Sequence, residues 1–99
     1  MIRHTVAFTL KHPRGSQQER DFLQAGRELA NIPSVRNFES LRQISKKCRF
    51  QLGFSMEFET REGYDTYNAH PDHTRFVEKR WKVEVLEFQE IDYEPLGPE

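Results

Sequence analysis

The segment Tyr67-Asn68-Ala69-His70-Pro71-Asp72-His73 places a phenol and two imidazoles within seven residues. An imidazole titrates near neutrality and can act as a general base, and a phenol can donate a hydrogen bond to a developing oxyanion. In combination they suit proton transfer at a carbon beside a carbonyl group. The plainer reading is structural: His70 and His73 cap or flank a proline turn, and Tyr67 packs with its hydroxyl wet. A metal site is not expected, because Pro71 breaks the helical register that His70 and His73 would need, and no third ligand stands at a recognised spacing.

Three further residues invite a chemical reading. His4 falls in phase with the apolar residues Ile2 and Val6, so its imidazole is expected inside, bonded to a backbone carbonyl or lining a pocket. Cys48 sits among Lys46, Lys47 and Arg49, cations that favour a thiolate. Without a resolving cysteine or adjacent histidine it reads as a bystander in an exposed connection. Gly26 lies in the apolar stripe of a helix, where glycine costs ~1 kcal/mol against alanine. That position calls for close helix-to-sheet contact or for a cavity under the first helix.

These groups must be held by elements that periodicity marks out. Ile2 to Leu10 alternates with period two and predicts a strand. Ser16 and Glu19 form a capping box after the breaker cluster His12 to Gly15. The helix that follows buries Phe22, Leu23, Gly26, Leu29 and Ala30 and stops at Asn31 and Pro33. A weak strand over Val35 to Ile44 leads through Ser45 to Arg49 into a clear one over Phe50 to Phe58. Thr60 caps a short helix carrying Tyr64 and Tyr67, and Pro71 interrupts it. A second helical piece over Asp72 to about Arg80 precedes a last strand from Val83 to Tyr93, whose apolar phase slips between Val85 and Leu86 as at a bulge.

The order β-α-β-β-α-β predicts an α+β, ferredoxin-like antiparallel sheet with helices on one face. Its other face, read from Thr5, Ala7, Thr9, Gln51, Gly53 and Ser55, is small and mildly polar, and suits packing against a second sheet. One domain over residues 1–95 and a loose tail over 96–99 are expected. The 15 Lys and Arg balance 16 Asp and Glu at a net charge of −1, which gives no electrostatic signal for nucleic acid or an anionic membrane. Hydrophobic residues make up only 35% of the chain, so the core is thin and help from a partner subunit is expected. No apolar run is long enough for a membrane span or a secretory leader, and a single cysteine excludes an intrachain disulfide, so a cytoplasmic location is expected.

From Ile2-Arg3-His4-Thr5-Val6 through Phe58, Glu59, Tyr67 and the H-P-x-H of His70 to His73, to Asp92 and Tyr93, the chain resembles the stress-responsive dimeric α+β barrel (Dabb) family. The resemblance implies a ferredoxin-like protomer that pairs sheet to sheet into a homodimer, in a family whose members mostly have no assigned activity. Among them is the plant olivetolic acid cyclase, to which the chain is similar. By that likeness, Tyr67 and His73 stand at catalytic positions, with His73 removing a proton from a carbon between two carbonyls and Tyr67 donating to the enolate oxygen. His4, Val6, Phe8, Gly26, Leu52 and Phe76 form the expected substrate lining. Leu52 and Gly26 depart from the cyclase, replacing a histidine and a tyrosine. No cofactor is implied for this chemistry; a contact of His73 with haem is the alternative that related α/β barrels raise. The expected function is a homodimer with an internal pocket for a small carbonyl or aromatic ligand, with a cofactor-independent cyclase or lyase as the alternative.

Overall fold

The computed structural model describes residues 1–97; Pro98 and Glu99, the end of the expected tail, lie outside the described residues. Strand β1 (Ile2–Leu10) turns Ile2, His4, Val6, Phe8 and Leu10 inward, as its alternation requires. Helix α1 (Gln17–Arg27) starts where the Ser16 hydroxyl accepts from the Glu19 amide at 3.2 Å. The Glu19 carboxylate does not close a reciprocal box on Ser16. It accepts from the Gly15 amide at 3.0 Å and is clasped by both terminal nitrogens of Arg42 at 3.0 and 3.2 Å. The hydrogen bond from Arg42 holds this carboxyl below its ordinary range against the opposing effect of burial. Helix and sheet edge are thereby pinned together. A 3₁₀ turn, Glu28–Asn31, finishes the helix ahead of Pro33.

Strand β2 (Arg36–Arg42) and strand β3 (Leu52–Phe58) are each shorter than their patterns suggest. The reason is the connection, which folds back on the Gln43 side chain: its amide nitrogen lies 2.7 Å from the Phe50 carbonyl and 3.1 Å from that of Ser45. Helix α2 (Arg61–Ala69) is capped by Thr60, whose hydroxyl accepts from the Gly63 amide at 3.0 Å. Pro71 then opens helix α3 (Pro71–Phe76), with the His70 ring accepting from the Asp72 amide at 3.1 Å as its cap. The helical path continues through a π turn, Val77–Trp81, and a last turn, Lys82–Glu84. Val83 therefore belongs to this turn and not to the last strand. Strand β4 (Val85–Tyr93) pairs Thr9 with Glu87 and Leu10 with Val85, which leaves Leu86 as the extra residue of the expected bulge.

The sheet is antiparallel in the order β2-β3-β1-β4, the ferredoxin-like arrangement, with the helices on one face. Between sheet and helices lies an aromatic cluster in which the Phe54 ring sits 4.8 Å from Phe8, 6.3 Å from Phe22 and 6.4 Å from Trp81. Gly26 exists for this ring. A Cβ built there would lie 2.5 Å from Phe54 Cζ and 2.9 Å from Cε2. Gly26→Ala would gain ~1 kcal/mol of helix propensity but overpack a ring held on several sides, at ~1–3 kcal/mol. The expected result is a net drop in the thermal midpoint, by ~4–8 °C for each kcal/mol lost. A higher midpoint in a melting curve would show that the ring gives way freely.

Candidate ligand cavity and its acid-base groups

A cavity of about 360 Å³ lies between the sheet and the α2–α3 elbow. Its floor is His4 and Val6 of β1, Phe54 and Met56 of β3, and Phe88 and Glu90 of β4. Its roof is Tyr67 and Asn68 of α2, His73 and Phe76 of α3, and Trp81 of the π turn. The wall is apolar except for a few polar groups, the usual make-up of a small-molecule site.

Tyr64 and Tyr67 are three apart in α2, so both face the sheet. Pro71 ends that helix, and the chain turns so that the His73 ring comes to 4.4 Å from the Tyr67 ring, centroid to centroid. The His73 Nδ1–H donates to the Asn68 carbonyl at 3.2 Å, which fixes the tautomer and leaves Nε2 as the basic nitrogen. Burial pushes the His73 pKa below its ordinary value, with the Asn68 bond and Glu90 opposing and His4 adding to the fall. The ring is thus neutral at pH 7 and ready to accept a proton. Tyr67 is 2% exposed, and burial drives its phenol pKa well up, so the hydroxyl stays protonated as a donor. Among the described residues it has no hydrogen-bond partner.

His73 makes a testable statement about pH. A base whose folded pKa lies below its unfolded value of ~6.5 favours the unfolded chain once it is protonated. Stability linked to His73 is therefore intact above the unfolded value and is lost as pH falls from it toward the lower folded one. Titration of the His73 Cε1 proton by NMR is expected to show a midpoint below 6.5, and one at or above that value would contradict a neutral base at pH 7.

His4 finds a partner that its position on β1 did not disclose. Its Nδ1 lies 2.6 Å from Asp92 Oδ1, and the Tyr64 hydroxyl donates to Asp92 Oδ2 at 2.6 Å. The Tyr64 oxygen is also 3.3 Å from the same imidazole nitrogen. Burial, followed by the Asp92 carboxylate, pushes the Tyr64 phenol up to about 12. Asp92 thus orients the ring by holding Nδ1–H and leaves Nε2 as its remaining nitrogen. The missed signal lay in strand pairing, since Asp92 sits directly across from His4 in the β1–β4 register. Glu90, two residues earlier on the same strand face, was missed for the same reason.

His4, Val6, Tyr67, His73 and Phe76 therefore come together around one cavity, while Phe8, Gly26 and Leu52 do not line it. Phe8 and Leu52 share the helix-facing side of the sheet but pair with each other one step beyond Val6 and Phe54, away from the cavity, and Phe8 is fully buried beside Phe22 and Trp81. Gly26 faces the Phe54 ring, so the space under α1 is filled and not hollow. The hollow lies instead beneath the elbow. Cys48 borders a groove of about 670 Å³ on the opposite, open face of the sheet, together with Thr5, Ala7, Gly53 and Ser55.

The model of the stress responsive A/B barrel domain, Dabb, matches residues 2–95. The chain belongs to this family. A Dabb protein of Mesorhizobium loti with a ferredoxin-like fold is 55% identical, with 97% of each chain covered and a TM-score of 0.94. The hydroxynitrile lyase of Passiflora edulis is similar in fold at 14% identity, covering 98% of this chain and 94% of its own, with a TM-score of 0.82. A dimeric ferredoxin-like protein of unknown function from Thermobifida fusca is 18% identical, over 93% and 88% of the two chains, with a TM-score of 0.76. No curated protein matches the chain. No helix of this Dabb domain among the described residues is long and apolar enough to cross a membrane.

Proposed function

We propose that this Dabb protein binds a small carbonyl or aromatic compound in the cavity of each protomer and acts as a homodimer that buries the open face of its sheet. The observation that carries the ligand reading is the paired Tyr67 and His73, with rings 4.4 Å apart, on the wall of an otherwise apolar cavity of about 360 Å³. That volume is near the lower end of the ~300–1,000 Å³ found for ligand sites, which favours a small molecule. A carbonyl oxygen would take the Tyr67 hydroxyl hydrogen bond, and an aromatic body would stack among Phe54, Phe76 and Trp81. For the dimer, small residues in the centre of the open face would let a second sheet approach, while Leu41, Ile91 and Tyr93 are 45%, 41% and 53% exposed around it. The Thermobifida fusca protein of the same fold is described as dimeric.

Titration with acetophenone under NMR observation is expected to shift Tyr67 and His73 signals saturably, and sedimentation is expected to give twice the 11.8 kDa chain mass. An arginine in place of Ala7 should convert the dimer to monomer. Lack of any saturable shift would remove the ligand reading, and a monomer at every concentration would remove the dimer.

A second reading adds chemistry to the same cavity. A neutral His73 Nε2 would take a proton from the carbon beside the ligand carbonyl; the C–H electron pair would move into the enolate, whose oxygen Tyr67 would stabilise. In a ligand with a second carbonyl, the enolate carbon would attack that carbonyl to close a ring and protonated His73 would return its proton to the new alkoxide; in one with a leaving group β to the carbonyl, the enolate would expel that group, in either case without a cofactor. The depressed pKa of His73 favours this reading, because the base must be unprotonated at working pH. The Passiflora edulis protein shows that this fold includes a lyase.

A further inference from the structure

The charges around the cavity do not balance. Its titratable lining groups are His4, Tyr67, His73, Lys82 and Glu90. The His4 imidazole is bound to the Asp92 carboxylate at 2.6 Å, so that pair contributes either no net charge or a negative one. Lys82 is drawn to Glu78 on its own helical segment, at 2.6 Å from Nζ to Oε1. Tyr67 is a neutral phenol and burial keeps His73 neutral. Only Glu90 is left. It lies on β4 opposite Val6, on the face that floors the cavity, between Phe88 and Asp92. Among the described residues its carboxylate has no hydrogen bond or ion pair. An anion at the rim of an apolar hollow repels a second anion and attracts a cation or an N–H or O–H donor, the more so as a ligand displaces water.

We propose that Glu90 makes this cavity select neutral or cationic ligands, with a hydrogen-bond donor or positive nitrogen turned toward β4, and reject carboxylates. The assignment deepens the ligand-binding reading and rests on it. It narrows the ligand class to carbonyl or aromatic compounds bearing a hydroxyl, amide, amine or amidine group. Glu90 acts here on specificity and not on proton transfer. Because Glu90 is exposed to solvent at the cavity rim, the expected discrimination is moderate and weakens with added salt.

Three flat probes of similar size separate the possibilities: benzamidine as cation, acetophenone as neutral carbonyl and benzoate as anion. They are titrated calorimetrically near neutral pH and low ionic strength, and binding is located by the NMR signals of Tyr67 and His73. The native protein is expected to bind benzamidine at least about tenfold more tightly than benzoate, ~1.4 kcal/mol, with acetophenone between them. Glu90→Gln is expected to bring the two charged probes within about twofold. Glu87→Gln changes the net charge equally but lies on the opposite face of β4, and should leave the order as it is. If Glu90→Gln keeps the tenfold preference, or if the native protein binds acetophenone but treats the two ions alike, the role of Glu90 is overturned. If none of the three probes binds the native protein, the cavity reading itself fails and takes this inference with it.

Discussion

His73→Asn is expected to slow the deuterium exchange of a bound ketone's α-protons by ~10²–10⁴, the usual contribution of a positioned general base. Asparagine retains a side-chain N–H that can reach the Asn68 carbonyl but has no basic nitrogen at the Nε2 position, so the elbow keeps its shape while the base is lost. Tyr67→Phe, which deletes only the hydroxyl, is expected to cost a comparable ~10²–10³ because the enolate oxygen loses its donor. Exchange into acetophenone in heavy water, followed by proton NMR, measures both. The acid limb of the rate profile should fall below 6.5, because protonating His73 removes the base and its pKa is lowered by burial. Exchange by the native protein no faster than in buffer, despite binding, would leave a binding site without proton-transfer chemistry. A loss confined to affinity in both variants would say the same.

Phe54→Ala is expected to be the most damaging single truncation, at ~3–5 kcal/mol out of the ~5–15 kcal/mol that holds a domain of this size. The ring is 3% exposed and touches both layers: 4.8 Å from Phe8 in the sheet, 5.3 Å from Phe38 at its edge, and 6.3 Å from Phe22 in α1. It also fills the space under Gly26 and forms part of the cavity floor. Removing it would merge that space with the ligand cavity, so the structure has little means to collapse around the void. Denaturant unfolding at fixed protomer concentration should show a midpoint shift of this size with an unchanged slope. A loss under ~1 kcal/mol would mean that the neighbouring rings close in and that the cluster has no central member.

The elbow between α2 and α3 illustrates how local chemistry was written in the chain. Thr60 and Pro71 fixed where helices begin, because a hydroxyl acceptor and a missing N–H act on the nearest backbone. Ile2 to Leu10 declared its inward face by period two, and the phase slip at Leu86 declared the bulge. The proximity of Tyr67 to His73 was legible for the same reason, since only six positions separate them. Of the expected capping box only the Ser16 half forms, because the Glu19 carboxylate is taken by the Gly15 amide and by Arg42, a clamp that crosses 23 positions and has no local signature.

What the sequence determined alone was therefore the order and type of the elements, the buried faces of β1 and β3 and the phenol–imidazole pair, because periodicity, capping and proline geometry act over a few residues. Tertiary structure decided which polar groups meet across the sheet. Asp92 reaches His4 over 88 positions, and Glu90 comes to the cavity only because β4 pairs with β1 in one register. It also decided that Phe54 fills the space beneath Gly26 and leaves the hollow under the elbow. Strand pairing and the filling of volume depend on where distant segments pack, and that information is carried by no single window of the chain.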